Sequence, residues 1–266
     1  MQKTDPWYKM AAMAEAASIV LVTGATSGIG AAIAREFAAL GYGVMLAGRD
    51  EVRGAALRAE LENGGVRVSA WYGDLAAPAA ARALMAATTA ALGGLDVLVN
   101  NAGIIHYANA EETTERQWRE TMAVNLDAVF FLSRAAMPLL RARGGGAIVN
   151  IASDWGLVGG RRAVAYCASK GAVVQLTRAM AHDHAGENIR INAVCPGDTD
   201  TPMMDVEARQ RGLDPAAARR AAAAESPTGR LTTPEEVAKL VAYLASEAAR
   251  QITGAAIPID AGNTAG

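Results

Sequence analysis

Cysteine, histidine, aromatic residues and net charge are all scarce in this chain. Two cysteines in 266 residues, Cys167 and Cys195, are too few for a disulfide framework and too far apart for a paired metal motif. Each lies inside an apolar run and reads as a packing residue. His106, His182 and His184 lack metal-ligand spacing backed by carboxylates or cysteines, so no metal site is expected. Neither charge sign dominates, with 25 Lys and Arg against 27 Asp and Glu. That balance argues against a nucleic-acid footprint and against a charged interaction tail. Charges or glycines interrupt every apolar run before it reaches membrane-spanning length, so no membrane partner is expected either. Few thiols and no disulfide pattern fit a reducing cytoplasm. Residues 1–17 lack the ordered regions of a signal peptide and read as a flexible extension outside the fold.

From Ser18 onward, short β-branched runs alternate with longer alanine-rich ones. The strand candidates are Ile19–Thr23, Gly43–Ala47, Val66–Tyr72, Val97–Asn100, Ala147–Ile151, Ile189–Cys195 and Ala256–Asp260. Several are apolar almost throughout, as strands covered on both faces should be. Helix candidates lie between them: Ile29–Leu40, Glu51–Glu62, Pro78–Leu92, Thr114–Leu140, Val164–His184 and Pro234–Ala245. Thr233-Pro234-Glu235-Glu236 has the capping residue, first-turn proline and negative charge of a helix start. The alternation predicts an α/β, Rossmann-type doubly wound fold: a seven-stranded parallel sheet with helices on both faces and right-handed crossovers. No linker or internal repeat divides residues 18–266, which are expected to form one domain. Asp198–Thr228 fits neither pattern and is expected to be a substrate lid with one or two helices.

The first strand runs through Thr23-Gly24-Ala25-Thr26-Ser27-Gly28-Ile29-Gly30 into a helix. Glycines there permit a sharp turn and bring a pyrophosphate to the helix N-terminus, where N–H groups and the helix dipole favour an anion. Gly24, Thr26, Ser27, Gly28, Ile29 and Gly30 are therefore candidate cofactor contacts, although the spacing is G-x-x-x-G-x-G rather than G-x-G-x-x-G. After the second strand, a carboxylate would favour NAD and an arginine the 2′-phosphate of NADP. Gly48 and Arg49 come first and Asp50 begins the next helix, which favours NADP through Arg49, with NAD the alternative.

Tyr166 and Lys170 stand four residues apart in a helical stretch and share a face. A tyrosine with an ordinary pKa near 10 is a poor base, but an adjacent ammonium and an oxidised nicotinamide favour its phenolate. Ser153, at the end of the fifth strand, offers a hydroxyl to hold a substrate oxygen. The three supply general acid–base chemistry at a carbonyl or alcohol carbon.

The glycine turn, Asn100-Asn101-Ala102-Gly103, Asn125, Ser153, Tyr166, Lys170 and Pro196-Gly197 occur here in one order. Together they resemble the short-chain dehydrogenase/reductase family in its compact single-domain form, over Ser18–Gly262. The resemblance implies an NAD(P)(H)-dependent oxidoreductase that interconverts a secondary alcohol and a ketone. It implies that Tyr166 is the acid/base, that Lys170 lowers the Tyr166 pKa and binds the nicotinamide ribose, and that Ser153 orients the carbonyl. Asn125 would hold a water linking Lys170 to solvent. Asn101, Ala102 and Gly103 would line the cofactor ribose, with Asp74 and Leu75 near the adenine. Pro196, Gly197, Thr199 and Thr201 would border the nicotinamide. A homotetramer is implied as well, with Thr114–Leu140 and Val164–Ala181 between subunits and a second interface near Ala256–Ala261. His106, Asp154 and Trp155 are candidate pocket residues, His106 equally a structural one. Arg209, Arg211, Arg219 and Arg220 read as a solvated helix face. Two alternatives stay open: a non-catalytic cofactor-binding regulator on the same fold, and another reaction such as enoyl reduction or epimerisation.

Overall fold

The computed structural model describes residues 17–77 and 79–265. The extension expected over residues 1–17 therefore lies, but for Ala17, outside the described residues, as does Pro78. Seven parallel strands form one sheet in the order β3-β2-β1-β4-β5-β6-β7. They are β1 (Ile19–Thr23), β2 (Gly43–Gly48), β3 (Val68–Tyr72), β4 (Val97–Asn100), β5 (Gly146–Ile151), β6 (Ile189–Pro196) and β7 (Ala256–Ile259). The chain winds outward from β1 to β3 and then returns to β4 beside β1. That reversal opens a crevice at the strands' carboxyl ends, where open α/β sheets bind ligands.

All five residues of β1 are buried, and the alternation of side chains explains how. Val20 and Val22 face one core with Val44 and Leu46 of β2, under Ile33 and Phe37 of α1 (Gly28–Ala39). Leu57 and Leu61 of α2 (Glu51–Asn63) and Val237 and Val241 of α9 (Pro234–Ala245) complete that layer. Ile19, Leu21 and Met45 face the opposite core, with Leu84 of α3 (Ala80–Leu92), Leu132 and Leu140 of α5 (Ala128–Ala142) and Met180 of α6 (Val164–His184). The start of α9 is a capping box between Thr233 and Glu236, with Pro234 in the first turn.

Three features differ from the sequence reading. The third strand begins at Val68 rather than Val66, because the Val66 N–H still bonds the Leu61 carbonyl in the turn closing α2. The single helix expected over Thr114–Leu140 has a Thr114–Gln117 capping box and then α4 (Glu115–Met122), a π-helical stretch over Ala123–Asp127, and α5. Such wide turns break the regular hydrogen-bond register and recur at functional sites; this one contains Asn125. The third difference concerns the apolar runs. The whole helical run Glu115–Ala142 is, by length and composition alone, long and apolar enough to cross a membrane. Its Leu132, Ala136, Met137 and Leu140 are buried in the core.

Candidate active site

The turn after β1 is held open by backbone geometry. Gly24 and Gly28 adopt left-handed φ of 63° and 52°, which a side chain would strain. At Gly30 a Cβ would lie 2.2 Å from the Gly24 carbonyl oxygen, so α1 could not pack so close to the turn with any other residue. Ser27, the N-cap of α1, makes no side-chain capping bond, and the first turn carries no acidic side chain. The leading N–H groups of α1 are thus left for an anion in the cleft, which is the arrangement a dinucleotide pyrophosphate requires. Asn101 braces the turn, donating from Nδ2 to the carbonyls of Thr23 at 2.9 Å and Gly24 at 3.3 Å. The Thr23 hydroxyl in turn accepts from the backbone N–H groups of Asn101 and Ala102.

At the β2 end, Gly48, Arg49, Asp50 and Arg53 line the cleft. A Cβ on Gly48 would lie 2.6 Å from Thr26 Cγ2, so a carboxylate at position 48, of the kind that would grip a ribose diol, would require the Thr26 side chain to turn away. Asp50 is the N-cap of α2 and accepts the Arg53 N–H at 3.0 Å. Its other oxygen stands 3.3 Å from Arg53 Nε. The carboxylate is thereby engaged, and Arg53 becomes a second cation at this end. The sequence reading missed it; its position three residues into a helix capped by Asp50 was the available signal. Asp74 and Leu75 line the cleft after β3, with Asp74 accepting the Ala76 N–H at 3.0 Å.

At the other end, Ser153 follows β5 and Tyr166 and Lys170 lie on α6, and all three line the same cleft. Lys170 is 4% exposed; its Nζ donates to the Ile151 carbonyl at 2.7 Å and lies 5.6 Å from the Tyr166 ring centre. Burial pulls its ammonium down to about 8. Burial also pushes the Tyr166 hydroxyl far above the ordinary tyrosine range; the Ser153 hydroxyl works against that push, and the Asp154 carboxylate adds to it. Burial consequently holds Tyr166 in its neutral form. Ionising it calls on nearby positive charge.

Asn125 is fully buried and clasps the backbone of Ile104, accepting its N–H and donating to its carbonyl, each at 2.9 Å. A Cβ on Gly103 would sit 3.5 Å from Asn125 Oδ1 and 3.6 Å from Lys170 Nζ, so Gly103 lies between the two. Asn125 itself is not among the cleft-lining side chains, whereas Asn101, Ala102, Gly103, Pro196, Gly197, Thr199 and Thr201 are. The π-helical turn, rather than cleft exposure, is what brings Asn125 near Lys170.

The expected lid contains two helices, α7 (Pro202–Gln210) and α8 (Pro215–Glu225). Arg219, read from sequence as solvated, pins them together through Asp200, Asp205 and the Thr201 carbonyl. Gln210 reaches back to the segment after Gly103, accepting the Tyr107 N–H at 2.7 Å and donating to the Ile105 carbonyl at 3.1 Å. Arg211 stacks on the Tyr107 ring, with its guanidinium 5.0 Å from the ring centre. His106 lies beside Glu120, at 3.3 Å, and is not part of the cleft lining. Trp155 does line it and meets Tyr166 edge-on at 6.2 Å.

A doubly wound sheet with a glycine-rich turn at its reversal point and a tyrosine–lysine pair at the far end of the same cleft has the layout of a dinucleotide-binding fold. Comparison with known proteins makes the assignment narrower. Residues 18–212 match the family model described as short chain dehydrogenase. The chain is 42% identical over 251 residues to meso-2,3-butanediol dehydrogenase of Serratia marcescens, covering 93% of this chain and 94% of that protein. It is 40% identical over 261 residues to 3beta-hydroxysteroid dehydrogenase of Mediterraneibacter gnavus, covering 92% and 94%. It is also 42% identical over 192 residues to a Xanthobacter autotrophicus protein named inactive 2-(S)-hydroxypropyl-CoM dehydrogenase 2, covering 72% and 83%. This chain belongs to the short-chain dehydrogenase family, NAD(P)-dependent oxidoreductases acting on CH–OH groups.

Proposed function

We propose that the protein interconverts a secondary alcohol and a ketone using NADP(H), with Tyr166 as the acid/base. The observation that carries this reading is the convergence of Ser153, Tyr166 and Lys170 on one cleft with the α1 turn at its other end. When bound, the nicotinamide supplies or accepts the hydride. Tyr166 gives its hydroxyl proton to the substrate oxygen in reduction and recovers it in oxidation. Lys170, charged and buried beside the ring, favours the phenolate and holds the cofactor ribose. Ser153 fixes the substrate oxygen within reach of Tyr166. Asn125, clasping Ile104 next to Gly103, holds the water path by which Lys170 exchanges protons with solvent. Gly24, Thr26, Ser27, Gly28, Ile29 and Gly30 cradle the pyrophosphate, Arg49 meets the 2′-phosphate, and Pro196, Gly197, Thr199 and Thr201 border the nicotinamide. The regulator alternative has little to support it in a site with all three catalytic groups, although one relative is named inactive.

The substrate end supports a neutral substrate over an acid. Ile105, Trp155, Met203 and Met204 line it with Asp198 and Glu207, and Lys170 is the one lining cation there among the described residues. Burial and the Asp198 carboxylate hold Glu207 above its ordinary range. An anionic substrate would meet like charge without a cation to spare. Exposed Trp118, Phe130, Phe131 and Val164 on α4, α5 and α6 favour self-association across those helices, consistent with a homotetramer. Free thiols at Cys167 and Cys195 suit a reducing cytoplasm.

Tyr166→Phe is the test. It keeps the ring and removes only the proton, so NADP(H) binding should survive while turnover on a panel of alcohols and ketones falls by roughly 100- to 10,000-fold. Turnover within a few-fold of the parent would rule Tyr166 out.

A further inference from the structure

Ser153 has one hydroxyl proton, and two acidic groups stand beside it. One is Tyr166; the other is Asp154, which is 5% exposed and has no basic side chain among its hydrogen-bond partners. Asp154 Oδ1 accepts from the Ser153 hydroxyl at 2.9 Å and from the Trp155 N–H at 2.7 Å. Its Oδ2 accepts from Asn263 Nδ2 at 3.0 Å. Asn263 belongs to a C-terminal turn built on Asp260, which accepts from the Gly262 N–H, the Thr264 N–H and the Thr264 hydroxyl. Ala261 takes a left-handed φ of 58° within that turn. A Cβ on Gly197 would touch Asp260 Cα and Cβ at 2.9 Å and Asp154 Oδ2 at 3.3 Å, so the segment after β6 packs closely against both residues.

We propose that Asp154 is a positioning residue: it claims the Ser153 hydroxyl proton, and so sets how readily Tyr166 gives up its own, while the C-terminal turn holds it through Asn263. This rests on the reading of Tyr166 as the acid/base. While the Ser153 proton points to Asp154, it cannot stabilise a Tyr166 phenolate, and the carboxylate charge opposes that phenolate directly. Both effects keep Tyr166 protonated. The other titratable or charged groups facing the trio are Lys170 and Cys167 on α6, Cys195 on β6, Asp198 after it, Glu207 on α7 and Asp260 after β7. Lys170 alone among them favours the phenolate.

Asp154→Asn removes the charge and keeps the bonding pattern. The amide oxygen still accepts from Ser153 and Trp155, and a turned Asn263 amide can accept from the new NH2. The experiment titrates the ultraviolet phenolate absorbance of the full chain with NADP+ bound, whose positive nicotinamide brings the step down into reach, using Tyr166→Phe as the subtracted blank. The Tyr166 step in Asp154→Asn should fall about one pH unit below the parent's, making the phenolate about tenfold more populated at any pH below the step. In a Ser153→Ala background the same substitution should move the step by clearly less, since the shared proton is gone. An unmoved step in Asp154→Asn, or an equal shift with and without Ser153, overturns the proposal. If Asp154→Asn does not fold, Asp154→Ser, smaller and neutral, should move the step the same way, and no movement there overturns it equally. A fully active Tyr166→Phe enzyme would instead overturn the underlying assignment of Tyr166.

Discussion

Replacing Arg49 with alanine should lower kcat/KM for NADP(H) by roughly 5- to 30-fold while leaving NAD(H) nearly unchanged. A forked, charge-assisted contact between a guanidinium and a phosphate contributes about 1.5–3 kcal/mol. Arg49 is exposed at the rim of the cleft, so solvent and salt reduce that to about 1–2 kcal/mol, with each 1.4 kcal/mol worth tenfold. Arg53 should matter at least as much, for a different reason. Its guanidinium stands 3.3 Å from Asp50, and Arg53→Ala would uncover a carboxylate where the 2′-phosphate should lie. Asp50→Ser keeps an oxygen to cap α2 and removes the charge, so it should raise the NADP:NAD ratio by a few-fold. The assay is the pair of specificity constants for the two cofactors with one good alcohol, at low and high ionic strength; the Arg49 and Arg53 effects should shrink with salt. A parent that prefers NAD, is indifferent to Arg49→Ala and loses that preference in Asp50→Ser would show that the carboxylate, not the arginine, reads the ribose.

Lys170 should leave a signature in the pH dependence of stability. The folded chain releases its proton near 8 and the unfolded chain near the ordinary 10.5, so between those values the unfolded state binds more protons and stability rises with pH. Above about pH 9 the buried Cys195 thiol, pushed up to about 11, works the other way, so the Lys170 contribution, on the order of 2–3 kcal/mol, is read in urea unfolding as the difference between the parent and Lys170→Met profiles; parallel profiles from pH 8 to 10.5 would contradict the buried ammonium. Arg190 donates to the Leu244, Ala245, Ser246 and Ala249 carbonyls that end α9 and its following turn. Arg190→Met should cost about 3 kcal/mol by leaving these acceptors unpaired, and a loss below about 0.5 kcal/mol in the same unfolding assay would refute that role. Sizing chromatography with light scattering should find an oligomer that Phe130→Glu with Phe131→Glu breaks down; a monomeric parent at micromolar concentration would refute self-association through α4, α5 and α6.

Much of the site is legible in the sequence, because its parts are local. The Gly24–Gly30 turn is covalently continuous with the strand and helix that frame it, and Tyr166 and Lys170 share a face through helical periodicity alone. Less legible were features that depend on contacts between distant segments. Arg219 reads as a surface residue until Asp200 and Asp205 are brought against it. Asn263 reads as part of a tail until the Asp260 turn carries it, across 109 positions of sequence, to Asp154.

Periodicity and glycine placement in the sequence determined the parallel sheet, its two buried faces, the order of its elements along the chain and the tight glycine turn ahead of α1. Each of these follows from which side chains alternate and which backbones can bend. Tertiary structure alone decided the π-helical turn at Asn125, the pinning of Arg219 by Asp200 and Asp205, and the state of the buried Tyr166, Lys170 and Asp154. A protonation state is set by desolvation and by the charges within a few ångströms, and only folding determines which side chains those are.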